Sequence, residues 1–210
     1  MDCSATELVT LLLQQEGVAV DAVNREQFTP LHAAVWQKQT ATAILLIQAG
    51  CKLEACASNQ STAVHFAAWH GLSELLQKLL EHGANIGART RDGDTALHQA
   101  VFGNHTRCVM HLLEGYGEAM VAPALNLPSA GTEKFVDAQK ADGSTALHLA
   151  AKADHVEMVE VLLNAGCTTT LKDRSGLTAL EGAQLQQRSR AVLRIRQHAE
   201  QQQREQQTAA

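Results

Sequence analysis

The chain has 210 residues, 45% of them hydrophobic and 19% charged, a balance that suits a folded globular chain and argues against wholesale disorder. Its net charge of -5 gives phosphate-backbone binding no support, and no apolar run approaches the roughly 18 residues of a membrane span. Five cysteines, behind an N-terminus (Met1-Asp2-Cys3-Ser4) with no basic-then-apolar leader, imply free thiols in a reducing compartment, cytoplasmic or nuclear.

In chain order, residues 1–16 read as one helix opened by the capping box Ser4-Ala5-Thr6-Glu7. A beat then sets in. Thr29-Pro30-Leu31-His32-Ala33-Ala34 returns as Thr62-Ala63-Val64-His65-Phe66-Ala67-Ala68 and as Thr95-Ala96-Leu97-His98-Gln99-Ala100. It returns again as Thr145-Ala146-Leu147-His148-Leu149-Ala150-Ala151 and, degraded, as Thr178-Ala179-Leu180-Glu181-Gly182-Ala183. The threonines are 33, 33, 50 and 33 residues apart, and Gly50, Gly83 and Gly166 each fall 21 residues after their Thr. Gly17 lies 33 residues before Gly50, so the array starts upstream of Thr29. Two markers on one period identify structural repeats.

Each unit reads as a turn and two helices. Asp92-Gly93 and Asp142-Gly143 are turn dipeptides that tolerate positive φ. Thr is a good N-cap, and Pro30 suits the first helical position. The first helix is built from small residues, so neighbours can approach closely. The second carries the larger apolar stripe, as in Met158-Val159 and Val161-Leu162-Leu163, and ends at a Gly suited to a left-handed cap. The single 50-residue step carries 17 extra residues, and the stretch 117–133, with two of the three prolines, reads as an enlarged loop. Such an insertion is either a binding element or a tolerated surface loop. Near the end, Val192, Ile195 and Ala199 form an apolar stripe on a helix bearing Arg188, Arg190, Arg194 and Arg196, as a terminal cap requires, and the Gln-rich residues 201–210 read as frayed helix or a disordered tail.

These motifs resemble the ankyrin-repeat family, whose units carry Thr-Pro-Leu-His, a later Gly-His, a Leu-Leu pair and a closing Gly-Ala. The resemblance covers roughly residues 5 to 200 and departs at Gly-His, which becomes Lys38-Gln39, Asn104-His105 and Asp154-His155. It implies an all-α solenoid with β-hairpin fingers, an ankyrin stack of about five repeats starting near residues 25, 58, 91, 141 and 174, after a half repeat at 1–24. It also implies a concave face, lined by fingers and first helices, that binds protein.

The four in-register histidines are too far apart to share a metal ion, because packed helices sit roughly 8–10 Å apart, so a structural role tying repeats together is expected. Cys51 and Cys167 replace a small core residue after the closing Gly. Cys51 and Cys56 flank one finger and are expected to stay reduced. No nucleophile-and-base constellation and no phosphate cradle stands out, so no catalysis and no cofactor are expected.

The aromatics carry the functional expectation. Seven residues after each Thr stand Trp36, Trp69 and Phe102, then Lys152 and Leu185. In the ankyrin fold this place opens onto the groove. One reading packs the rings over small neighbours; the other, favoured because the family usually has varied polar residues there, is an exposed strip of interface anchors about 20 Å long. Gln37 and His70 stand beside it, and Lys152 at one end. The finger tips Arg25, Glu26, Phe28, Asn59, Arg91, Asp92, Asp94, Lys140, Asp142 and Ser144 add mixed charge and polarity around an apolar centre. The expected partner is another protein, gripped by an adaptor, scaffold or inhibitor that is a monomer when unbound. The competing readings are homo-oligomeric assembly through the same strip and nucleic-acid association through the terminal helix, where five Arg face three Glu in residues 181–210.

Overall fold

The computed structural model describes residues 3–13, 15, 17–121 and 134–208. The helices described are α1 (Cys3–Leu13), α2 (Pro30–Trp36), α3 (Thr40–Gln48), α4 (Ala63–Trp69), α5 (Ser73–Glu81) and α6 (Ala96–Phe102), then α7 (Thr106–Val121), α8 (Ala146–Lys152), α9 (Val156–Asn164), α10 (Ala179–Leu185) and α11 (Ser189–Thr208). α2, α4, α6, α8 and α10 form an inner row in which each packs on the next, and α1, α3, α5, α7, α9 and α11 form an outer row in the same way. The units therefore stack in one line. None of these helices is long and apolar enough to cross a membrane.

Each inner helix is seven residues long because its sequence starts and stops it. Thr29, Thr62, Thr95, Thr145 and Thr178 are the N-caps. In the first four units His fills the role that Glu has in an ordinary capping box: Nδ1 of His32, His65, His98 and His148 accepts the Thr N–H at 3.1–3.2 Å. Because Nδ1 accepts, Nε2 keeps the proton. The Nε2–H of His65 donates to the Asp94 carbonyl at 3.2 Å and that of His148 to Leu177 at 3.1 Å, both in the next finger. At the far end the chain turns through a left-handed residue at Lys38, Gly71, Asn104, Asp154 and Gln187, with φ between 56° and 70°. Between these limits Ala63, Ala67, Ala96, Ala100, Ala146 and Ala150 are sealed from solvent, which lets the inner helices close on one another. The outer row supplies bulk: Leu75, Leu76 and Leu79, Val109 and Leu112, Met158 and Leu162 are fully buried, each contributing about 2 kcal/mol.

The fingers are hairpin turns rather than strand pairs. Asn24, Ala57, Thr90, Lys140 and Asp173 each donate their N–H to the carbonyl four residues on, at 2.9–3.0 Å. Neighbouring fingers share one backbone bond per step: Ser58 to Glu26, Arg91 to Asn59, Ala141 to Asp92 and Arg174 to Asp142, at 2.8–3.2 Å. One backbone bond per step makes no ladder, and the β pairing among the described residues is a single bridge between Lys172 and Thr178.

Three local expectations are corrected. The region 117–133 is not loop throughout, because α7 has 16 residues where α3, α5 and α9 have nine, and residues 117–121 are helical. The closing Gly is out of register there: 21 residues after Thr95 stands Tyr116, between Gly115 and Gly117, so the place of the left-handed stop has a bulky residue. Residues 122–133 lie outside the described part. The Gln-rich stretch is helical through Thr208, because α11 is already nucleated on the stack and Gln propagates a helix well. Finally, Ser4 does not open the first helix. α1 begins at Cys3, so Ser4 lies in its first turn, and Leu11 and Leu12 are exposed. The C-terminal end is closed by buried Ala191 and Ile195, with Arg194 paired to Glu160.

Candidate functional site

Trp36, Trp69 and Phe102 are the last residues of α2, α4 and α6. They remain 52%, 40% and 63% exposed although they are the largest side chains of the inner row. The rungs lean on one another along the stack. The Trp69 and Phe102 rings are stacked, with centroids 5.1 Å apart and planes 13° from parallel. That is well inside the 8–10 Å of helix spacing, because long side chains tilt where backbones cannot. Trp36 meets His70 edge-on at 5.1 Å and Phe66 at 5.6 Å. Phe28, half-buried on the first finger, closes this cluster against Phe66 at 5.3 Å and Trp36 at 6.4 Å. The result is an aromatic ridge of two clusters, Phe28–Trp36–Phe66–His70 and Trp69–Phe102, which meet through the consecutive residues Trp69 and His70 and leave Trp36, Trp69 and Phe102 exposed.

Two residues that the sequence reading passed over position the ridge. Phe66 stands where other units have Ala33, Gln99 and Leu149, and it is the platform on which Trp36 rests. His105 opens the second helix of the third unit and lies against Gly71; its Nε2–H donates to the Trp69 carbonyl at 3.1 Å, fixing the end of α4. The signal for Phe66 was the odd residue at an otherwise regular place, whereas His105 shares its place with His155. His70 is half-buried beside the ridge, and burial, then Lys38 and His105, hold its pKa below the ordinary value.

Gln37 and Lys152 are exposed at the ends of α2 and α8. The finger residues are less free than their sequence suggests. Lys140 sits 3.5 Å from Asp94 of the preceding finger, joining the two, and 3.8 Å from Asp142 of its own. The Arg91 guanidinium donates to the Ser58 carbonyl at 2.8 Å. The side-chain oxygens of Asn59 and Asp142 accept N–H bonds from Ser61 and Ser144, bracing their own turns. Arg25, Glu26 and Asp92 stand exposed, and Ser144 half-buried. Cys51, Cys56, Cys108 and Cys167 are free thiols, and burial pushes Cys51 and Cys108 up to about 11 and Cys167 up to about 12. Among the described residues no three His, Cys, Asp or Glu side chains converge as a metal site.

Family profiles agree with this architecture. One described as "Ankyrin repeats (3 copies)" matches residues 45–122, 64–173 and 120–203, and one described as "Ankyrin repeat" matches residues 26–58. No curated protein matches the chain significantly. Among solved structures, the crystal structure of EF0377, an ankyrin repeat protein, aligns with a TM-score of 0.79 at 27% identity, covering 91% of this chain and 92% of that one. The chain belongs to the ankyrin-repeat family.

Proposed function

We propose that this chain is a non-catalytic adaptor, scaffold or inhibitor that grips a partner protein with the ridge formed by Trp36, Trp69 and Phe102. Ankyrin repeats are in general protein-interaction modules. The observation that carries the finer reading is the exposure of three large rings in consecutive units, when Leu31, Val35, Val64, Phe66, Leu97, Val101 and Leu147 of the same inner row are buried and the comparably exposed residue is Leu185, at the same place in α10. Exposed aromatic strips of this kind supply interface anchors worth about 2 kcal/mol or more each. Gln37, His70 and Lys152 border the ridge, and Arg25, Glu26 and Asp92 give the partner polar edges to match. The fingers' remaining charges hold the finger row together.

The test is affinity capture with the immobilised chain and with its Trp36→Ala/Trp69→Ala double variant, alongside thermal melts of both. Partners retained by the parent and lost by a folded double variant support the reading. Equal capture by the two proteins overturns it.

A further inference from the structure

The last residues of the five inner helices form one row along the stack: Trp36, Trp69, Phe102, Lys152 and Leu185. All five are exposed. Because α6 packs on α8 and α8 on α10, Lys152 stands between two exposed apolar groups, Phe102 and Leu185, about 8–10 Å along the row from each. Histidines aside, Lys152 and Glu181 are the charged residues of these five helices. The Glu181 carboxylate is held at its own helix cap, accepting the Thr178 N–H at 2.8 Å and the Thr178 hydroxyl at 2.9 Å. Asp154, two places after Lys152, reaches the next repeat and accepts the Ala191 N–H at 2.9 Å. Among the described residues no ion pair includes Lys152. Nor does α8 need a cation at its end in order to form, since the other four inner helices have no basic residue in the last turn.

We propose that Lys152 sets the specificity of the ridge: the partner segment that lies on it carries an aspartate or glutamate, beyond its apolar anchors, that pairs with this ammonium. The proposal rests on the ridge being the binding surface. A segment seated on Phe102 and running towards Leu185 crosses Lys152 and strips water from it. A cation covered in this way and left unpaired is strongly disfavoured, whereas a carboxylate brought to it offsets the lost hydration. Among the described residues the nearby acids of the inner row are engaged with Thr178 and Ala191, so the carboxylate comes from the partner. It stands about 8–10 Å along the segment from the apolar group over Phe102, with a further apolar group beyond it for Leu185. The rings accept apolar segments in general; the single cation among them rejects those that bring a neutral or basic residue to its place.

The test is selection of a phage-displayed library of random peptides on the immobilised full chain, followed by anisotropy titration of the strongest binder. Peptides of about 16 residues cross two rungs even when helical. The enriched peptides are expected to carry an Asp or Glu among apolar residues. The binder should weaken at least about tenfold on Lys152→Ala, further on Lys152→Glu, and also on Trp36→Ala/Trp69→Ala. Replacing the peptide's acid by Asn or Gln should remove most of the Lys152→Ala effect, as a direct charge pair requires, and additive losses overturn the proposal. Melts confirm folding of the Lys152 variants; if one of them unfolds, the other decides. Peptides lost on the double tryptophan variant but bound equally by the Lys152 variants overturn this inference and leave the ridge standing. Peptides indifferent to the double variant, or no enriched peptide at all, overturn both. A concentration-dependent dimer of the parent chain that Lys152→Glu dissolves also overturns it, by making a second copy the occupant.

Discussion

The Asp137 carboxylate holds Thr168 twice, accepting its backbone N–H and its hydroxyl, each at 2.6 Å. Asp21 does the same for the N–H of Lys52 and Glu54 for that of Asn85, each acid reaching 31 residues along the chain into the next repeat. Asp137 is the most buried of these ties, so Asp137→Ala leaves two donors on Thr168 without a partner. It is expected to cost about 2 kcal/mol, read as a lower urea midpoint with an unchanged slope. Asp21→Ala, on an exposed tie, should cost well under half as much. Equal losses would mean that the tie's burial is irrelevant.

The tie also explains where sequence reading succeeds and where it stops. A 33-residue period is legible because capping, turn and core residues must recur at fixed places for units to stack. In the third unit the acid's place is taken by Gly87 and the closing Gly's by Tyr116, and there the loop reading of 117–121 fails. The place of Trp36, Trp69 and Phe102 at the ends of their helices was legible, while the choice between exposed and packed rings, left open by the period, is decided by the structure in favour of exposure. Their tilt onto His70, Phe66 and one another was not, because ring contacts depend on side-chain reach rather than on period. The use of Lys140 and Asp94 within the finger row was hidden for the same reason.

Gly71 and Gly83 separate two costs. Both have positive φ, +70° and +84°, but a Cβ on Gly71 would lie 2.5 Å from His105 Nδ1, while one on Gly83 meets nothing within 4 Å. Gly83→Ala should cost about 1 kcal/mol for the backbone alone. Gly71→Ala should cost at least about 2 kcal/mol and displace the His105–Trp69 bond, seen as a shift in tryptophan emission. The same cost at both positions would show that His105 simply moves aside.

Acid should loosen the stack through its histidines. Burial holds His65 and His98 down to about 4, and Lys140 and Arg89 further disfavour charge on His98. An unfolded chain takes up these protons near 6.5. The unfolded state therefore binds more protons between about pH 6.5 and pH 4, so stability is full above that window and falls as the pH drops through it. The loss is at most about 3 kcal/mol per ring. Urea midpoints followed from neutral pH downward should stay flat and then fall. A midpoint unchanged at about pH 4.5 would contradict the buried neutral rings.

The ridge residues should differ in what they do for folding. Trp36 rests on Phe28, Phe66 and His70, whereas Phe102 stacks on Trp69 alone and is 63% exposed. Trp36→Ala is expected to cost about 2 kcal/mol and Phe102→Ala less than about 1 kcal/mol. Thermal melts of the two variants give the order, and a larger loss at Phe102 would reverse the account of which ring is anchored.

The 17 residues at 117–133 interrupt the sequence but not the stack, since α6 packs on α8, α7 on α9, and Ala141 N–H still meets the Asp92 carbonyl at 2.8 Å. Their removal restores the 33-residue step and joins Tyr116 to Lys134, which stands one place before Phe135 of the short turn Phe135–Asp137. Shortening a loop changes closure entropy by only about 1 kcal/mol. The deletion, combined with Tyr116→Gly to supply the left-handed stop found at Gly50, Gly83 and Gly166, should fold cooperatively and melt no lower than the parent. If the deleted chain melts in two steps, the insertion is instead what couples the first three repeats to the last two, because a break in nearest-neighbour contact is what splits a repeat array into independent parts.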